Sequence, residues 1–210
     1  MNKVIGIISY LPDDVNKRKI REEKIDSLIK TCNELFDLPI IIVAQNWKDF
    51  KVDCCQLYKF EKPLGIVGAR KELRKIFLHS GYDYLIMLDD DCKVLGTKEG
   101  ANRYLKEIDN HPGMFGVFYG TLLKLFAISK EIFSLQDYGD GEVENGDFFE
   151  DILLVNTLEK RFPNKKFVFS KKDIKEESNN FNDENSTWYY GQFNKHAIGD
   201  KTRELLKEIK

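Results

Sequence analysis

The chain has 210 residues, of which 42% are hydrophobic and 32% charged, an ordinary composition for a soluble globular protein that folds without disulfides or a structural metal. Its net charge of −2 gives no overall basic footprint of a nucleic-acid-binding protein, and no apolar run is long enough to span a bilayer. The four cysteines lack framework spacing and histidines are few, so we expect reduced thiols and no zinc site. The N-terminal segment is too short and too strand-like for a signal peptide, so we expect a cytoplasmic protein.

Strands and helices alternate in the first half of the chain. Short continuous apolar runs predict buried strands, and longer segments with apolar residues at helical spacing predict helices. In order these are a strand over 4–9, a helix over 17–36, strands over 40–44 and 54–60, a helix over 66–79 that Gly81 closes with a left-handed cap, a strand over 84–88, and a helix over 98–109 that Thr97 caps. This order implies right-handed crossovers and parallel strand pairing.

The second half changes character. It predicts strands over 114–119 and 124–128, a short helix over 130–133, a glycine-containing loop, a helix over 149–162 and a last strand over 166–170. The segment 176–186 is polar and rich in asparagine, which is typical of a loop. We therefore predict a three-layer α/β/α sandwich with a mostly parallel, mixed sheet in one domain, 1–175, followed by a loop and tail, 176–210.

Three consecutive aspartates, Asp89, Asp90 and Asp91, follow the most apolar of the predicted strands. Alternation along a strand would place Asp89 and Asp91 on one face and Asp90 on the other. Open α/β sheets bind ligands at the carboxyl ends of their strands, and two carboxylates on one face there suit a hard divalent cation. The alternative is an acidic turn that only caps the next segment.

The segment 82–91, YDYLIMLDDD, resembles the DXD strand of family-2-like GT-A glycosyltransferases, and the resemblance covers about residues 3–170. It implies a Rossmann-like nucleotide-diphospho-sugar transferase fold in which Asp91, with Asp89, holds Mn²⁺ or Mg²⁺. Asp89 and Asp90 would hold the donor. The segment that ends at Arg70 is similar to the family's small-residue-then-arginine segment. The resemblance implies that Arg70 contacts the nucleotide or the acidic run. The alternative is an arginine on the exposed face of the helix.

A second acidic motif precedes the predicted helix at 149–162. Asp147-Phe148-Phe149-Glu150-Asp151 resembles the motif that supplies the catalytic base of inverting family members. The resemblance implies Asp151 as the base, with Glu150 as the second choice. Acidic residues at a helix start are also favoured by the helix dipole alone, which is the structural alternative.

Other residues are assigned roles by their place in this resemblance. Ser9 and Tyr10 end the first strand, where the family places the nucleobase, and Arg21 follows close enough to reach phosphates. His196, in the aromatic-rich tail, is a candidate metal ligand because some GT-A enzymes supply a late histidine. The tail at 176–210 is a candidate active-site lid. Each of these residues also has a simpler interpretation as a solvated or packed side chain.

The expected function is transfer of a single sugar, with inversion, from a nucleoside diphosphate sugar, most simply a UDP-sugar, to an acceptor hydroxyl. The Gln-x-x-Arg-Trp motif of processive synthases is absent, and a glycan, a protein or a hydroxymethylated DNA base would be the acceptor. The basic stretch over 161–175 is a candidate nucleic-acid contact. The Lys-, Asn- and Ile-rich composition is typical of a bacterial or phage gene, which would put the protein in the host cytoplasm if phage-encoded.

Two other functions compete with this one. A nucleotidyltransferase shares a similar α/β core and a metal requirement, but the segment after the first strand, 12–19, has basic residues and no glycine. A non-catalytic nucleotide-binding module is the second alternative, although Asp89, Asp91 and Asp151 are all present.

Overall fold

The computed structural model describes residues 1–118, 125–136, 150–169 and 174–178. Its strands are β1 (Lys3–Tyr10), β2 (Ile40–Gln45), β3 (Gln56–Phe60), β4 (Tyr84–Asp89), β5 (Cys92–Gly96), β6 (Phe115–Phe118), β7 (Phe126–Ser129), β8 (Lys166–Phe169) and β9 (Ile174–Ser178). Its helices are α1 (Val15–Phe36), α2 (Gly65–His79), α3 (Lys98–Asn110), α4 (Lys130–Leu135) and α5 (Glu150–Arg161). Each predicted element is present in the described ranges, with ends that shift by one or two residues.

Seven strands form an open sheet in the order β3-β2-β1-β4-β7-β6-β8. The first four of these neighbours, β3, β2, β1 and β4, are parallel. β7 runs antiparallel between β4 and β6, and β6 pairs in parallel with β8. The prediction of a mostly parallel sheet with a mixed edge is confirmed.

Two hydrophobic cores lie on opposite faces of this sheet, and successive residues of each central strand alternate between them. In β1, Ile5 and Ile7 belong to one core, and Val4 and Ile8 to the other. The first core receives α1 and α3 through residues such as Ile25 and Tyr104. The second receives α2, α4 and α5 through Leu73, Phe133 and Leu158, among others. The predicted three-layer α/β/α sandwich is therefore the observed architecture.

The end of α2 differs from the prediction. Gly81 does not adopt the left-handed conformation; among the described glycines, Gly65 and Gly113 do. The helix instead ends at Ser80, which is extended (φ −84°, ψ 172°) and whose hydroxyl donates to the Phe77 carbonyl at 2.7 Å. A side-chain hydroxyl satisfies the last turn here, so the glycine is not needed for capping.

A second, two-stranded sheet pairs β5 with β9 and was not predicted. Its second strand, Ile174–Ser178, extends into the segment predicted as a loop from residue 176. Short strands paired across a long stretch of chain leave little local periodicity to detect. Residues 179–210, including the rest of the predicted tail, lie outside the described part of the chain, and the division at 175/176 stays a prediction.

Candidate functional site

The acidic run lies at the end of β4, at the point of the sheet where successive strands stop being added on one side of β1 and start being added on the other. From β1 the chain adds β2 and then β3 on one side, and it returns through α2 to place β4 on the other side of β1. Ile8 of β1 is paired with Asp89 of β4, and Tyr10 with Gln45 of β2, so the carboxyl ends of three parallel strands meet here. Such a switch point is the general ligand-binding position of open α/β sheets.

Asp89 ends β4 and is held by a buried arginine. The Arg70 guanidinium Nη2 lies 2.9 Å from Asp89 Oδ1, and the Arg70 side chain is only 4% exposed whereas that of Asp89 is 32% exposed. Arg70 lies on α2, whose buried residues also include Val67 and Leu73. The interpretation of Arg70 as an exposed helix arginine is therefore wrong, and its predicted contact with the acidic run is present. A buried guanidinium at this place stabilises negative charge at the strand end.

Asp90 turns away from this pair toward the end of β1. Its Oδ1 accepts from Arg21 Nη1 at 2.9 Å, and its Oδ2 accepts from the Tyr10 backbone N–H at 3.2 Å. The Ser9 hydroxyl also hydrogen-bonds Asp90 and accepts from the Trp47 indole N–H at 3.1 Å. Ser9 and Asp90 are buried, while Tyr10 is 38% exposed. This network fixes the end of β1 and leaves the Tyr10 ring accessible.

Burial raises the pKa of Asp90 to about 6, with Asp91 adding to the increase and the Arg21 guanidinium opposing it. Because this pKa is raised on folding, protonation of Asp90 favours the native state below the unfolded pKa, and that contribution is lost as pH rises through about 6.

An Asp90→Asn variant tests this pH dependence. Asparagine stays neutral, so we expect the variant to gain stability relative to the wild type as pH rises from about 4 to about 7, approaching about 3 kcal/mol. Urea unfolding in metal-free buffer at a series of pH values measures the difference. A difference that stayed constant across the range would show that Asp90 does not titrate there.

Asp91 and Cys92 form a cluster with Asp89. Asp90 and Asp91 form a turn, and Cys92 then begins β5. One carboxylate oxygen from each of Asp89 and Asp91 and the Cys92 sulfur all lie within 4.8 Å of one another. Asp89 and Asp91 are both partly exposed, and Cys92 is 2% exposed. Two hard oxygen donors and one soft sulfur donor thus face a common point.

The structure brings most of the predicted donor-site residues together. Ser9, Tyr10 and Arg21 share the network of Asp90, and Arg70 contacts Asp89. Glu150 and Asp151 begin α5, and only their backbone is described. His196 lies outside the described residues.

The basic stretch over 161–175 is described in part. Arg161 Nη1 donates to Gln136 Oε1 at 3.0 Å, and Lys166 Nζ lies 2.8 Å from Glu159 Oε1. Lys165 Nζ lies 3.9 Å from Glu131. All three side chains have partners within the chain, a neutral amide for Arg161 and carboxylates for the two lysines, as expected of a solvated protein surface.

Sequence reasoning missed Cys92 and Trp47. Strict strand alternation would have put Cys92 on the face of Asp90, but the turn at 90–91 breaks the alternation and returns the sulfur to the carboxylates. Trp47 follows β2 and reaches Ser9 across the sheet edge. Its only signal was an aromatic residue two positions after a buried strand.

In the described part of the chain, no helix combines the length and apolar character required to cross a membrane.

No model of a known protein family and no curated protein matches the sequence. Among solved structures, S. aureus TarS superposes with a TM-score of 0.54 at 15% identity, over 83% of this chain and 36% of that one. A shorter form of TarS in complex with UDP-GlcNAc gives 0.55 at 16% identity, over 83% and 57% of the two chains. A protein of Desulfovibrio desulfuricans G20 assigned as a nucleotide-diphospho-sugar transferase gives 0.52 at 12% identity, over 80% of each chain.

The chain thus spans 36% and 57% of the length of these two TarS chains. Identities this low show a shared fold. With a seven-stranded, mostly parallel open sheet between two helical layers, the chain has the Rossmann-like fold of the nucleotide-diphospho-sugar transferases.

Proposed function

We propose that the chain is a metal-dependent glycosyltransferase that moves a single sugar from a nucleoside diphosphate sugar to an acceptor hydroxyl, with inversion. The observation that carries the proposal is the carboxylate pair Asp89 and Asp91 at the switch point of the sheet, beside the end of β1. The fold is shared with nucleotide-diphospho-sugar transferases, and one neighbour binds UDP-GlcNAc. A UDP-sugar is therefore the donor to test first.

The residues at this point fit a hard divalent cation. Asp89 and Asp91 each offer oxygens, which Mg²⁺ and Mn²⁺ prefer, and both side chains are partly exposed, so a phosphate oxygen has access. Such a cation, when bound, would neutralise the charge that develops on the leaving diphosphate. Asp91 would be its main protein ligand, and Asp89, with its charge balanced by Arg70, would share in coordination and hold the donor ribose or sugar.

The end of β1 would receive the nucleoside. Tyr10 is exposed there and would stack on the base. Asp90 hydrogen-bonds Ser9, Arg21 and the Tyr10 backbone N–H, and this network would support the donor site by fixing the Tyr10 backbone. Arg21, whose side chain is 29% exposed, would also add positive charge near the phosphates.

Asp151 would accept the proton of the attacking acceptor hydroxyl, with Glu150 as the alternative base. The support is positional: α5 begins at Glu150 and packs in the same layer as α2, the helix that carries Arg70. His196 would add a ligand to the metal if the tail at 176–210 closes over the donor, as proposed for a lid.

A thermal-shift screen tests the proposal directly. Nucleoside diphosphate sugars are added with Mn²⁺, with Mg²⁺ and with EDTA, and the melting temperature is recorded. A ligand that binds only the native state stabilises it by about 2.7 kcal/mol at a hundredfold excess over its dissociation constant. We expect a shift with one sugar nucleotide that requires the metal and is absent in Asp91→Ala.

The other outcomes identify other functions. A shift with nucleoside triphosphates, accompanied by pyrophosphate release, would indicate a nucleotidyltransferase. Metal-dependent nucleotide binding without hydrolysis or transfer of the sugar would indicate a binding module. Once the donor is known, glycans, proteins and hydroxymethylated DNA are screened as acceptors, and the basic stretch at 161–175 is relevant only to the last of these.

A further inference from the structure

A thiol belongs to the proposed metal site. The Cys92 thiol donates a hydrogen bond to Asp91 Oδ1 at 3.7 Å, and its sulfur lies within 4.8 Å of an oxygen of Asp89. The residue is 2% exposed, at the start of β5, so its sulfur is held by the fold against the two carboxylates. Mg²⁺ and Mn²⁺ sites are built from oxygen donors, so a fixed sulfur is not needed for the proposed transfer reaction.

We infer that Cys92 is a third side-chain ligand at this site, and that its sulfur strengthens the binding of Zn²⁺ relative to Mg²⁺ and Mn²⁺. The inference rests on the proposed function in one respect, which is that transfer requires a divalent metal at the same two carboxylates. A tetrahedral ion with bonds of about 2.1 Å to oxygen and about 2.3 Å to sulfur separates these ligand atoms by about 3.6 Å. The Cys92–Asp91 separation of 3.7 Å is close to that spacing, and the separations that involve Asp89 are within 4.8 Å, so metal binding would draw Asp89 inward.

Binding of Zn²⁺ needs the thiolate, so the thiol proton is released to solvent when the metal–sulfur bond forms. Asp89 Oδ1 contacts the Arg70 guanidinium, and one carboxylate oxygen of each aspartate lies within 4.8 Å of the Cys92 sulfur. The fourth position of a tetrahedral ion stays open to water or to a donor phosphate. Zn²⁺ held in this way occupies the carboxylates that Mg²⁺ or Mn²⁺ would use, so it competes with the hard cation and inhibits transfer.

The cysteine spacing gave no sign of such a site. Zinc is usually recognised from paired cysteines and histidines, and the expectation of no zinc site followed from their absence. This group has one cysteine and two aspartates from a single strand–turn–strand segment, so it becomes visible only through the turn at 90–91.

Zinc-edge X-ray absorption on the full chain tests the inference without reference to activity. The background is Cys54→Ser/Cys55→Ser, because those two cysteines are adjacent and accessible, while Cys32 is fully buried in the core. With one equivalent of Zn²⁺ we expect a sulfur shell at about 2.3 Å. A spectrum with only oxygen and nitrogen neighbours, at about 2.0–2.2 Å, would overturn the inference.

Adding Cys92→Ser to this background should remove the sulfur shell and weaken Zn²⁺ binding by at least the loss of about 10- to 100-fold that removal of an outer-shell partner costs, with a much smaller effect on Mn²⁺ affinity. Equal losses for both cations would contradict the inferred role of the sulfur. If the serine variant fails to fold, the spectrum of the parent protein still decides. A sulfur shell without any sugar-nucleotide binding would sink the transferase proposal alone, whereas Mn²⁺-dependent donor binding without a sulfur shell would sink this inference alone.

Discussion

Replacing Asp91 with asparagine is expected to reduce metal-dependent sugar transfer by about a thousandfold or more in kcat/KM, equivalent to about 4 kcal/mol of transition-state stabilisation. Asparagine has nearly the shape of aspartate, so the turn at 90–91 should persist and only the charge is lost. Donor turnover with saturating Mn²⁺ gives the rate, and isothermal titration with Mn²⁺ in the presence of the nucleotide gives the binding loss.

Asp83→Asn is the matched control. It removes the same charge just before the opposite end of β4, where Asp83 Oδ2 accepts from the Asn2 backbone N–H at 2.8 Å. A modest loss of stability is expected from that hydrogen bond, with no change in metal dependence. If Asp91→Asn turned over its donor as fast as the control, the carboxylate pair would not be the metal site of the reaction.

Three adjacent aspartates are tolerated here because the fold gives each a different neighbour. Asp89 faces Arg70, Asp90 faces Arg21, and Asp91 lies beside Cys92. The two guanidiniums come from helices in opposite layers, α2 and α1, so the positive charge reaches the strand end from both faces of the sheet. Opposing positive charge offsets the repulsion within the run, and a divalent cation would offset it further.

The arrangement of the central sheet could be predicted because its signals are local. A run such as the one over 84–88 is apolar at every position, as a strand covered on both faces must be, and the helical segments have apolar residues at the spacing of one buried face. The position of the carboxylate pair follows from the end of that strand. Arg70 was recognisable only by its resemblance to a family segment, since a helix arginine is usually exposed.

Other parts of the site depend on contacts between distant segments. Arg21 lies among charged residues of α1, and nothing in its neighbourhood indicates that it would meet Asp90. Cys92 required the turn at 90–91, and the pairing of β5 with β9 joins segments separated by most of the second half of the chain. Tertiary packing determines these contacts, so patterns within a short window cannot reveal them.

Replacing Asp151 with asparagine is expected to reduce kcat by about 10²- to 10⁴-fold, the usual contribution of a general base. Donor binding should be unchanged, because the proposed metal and nucleoside contacts lie at β1 and β4 and not on α5. The melting-temperature shift with the donor and Mn²⁺ measures binding, and single-turnover kinetics measure the chemical step. A loss in kcat without a loss in binding separates a base from a donor ligand.

Two other acidic residues of α5, Glu150 and Glu159, provide the comparison variants for Asp151→Asn. Glu150→Gln changes the adjacent acid, and Glu159→Gln changes one that pairs with Lys166 at 2.8 Å near the end of α5. We expect Glu159→Gln to retain full kcat and Glu150→Gln to show a smaller loss than Asp151→Asn. If only Glu150→Gln lost kcat, the base would be Glu150. Full turnover in both Asp151→Asn and Glu150→Gln would place the base outside the start of α5, because a general base cannot be replaced by an amide without loss of proton transfer.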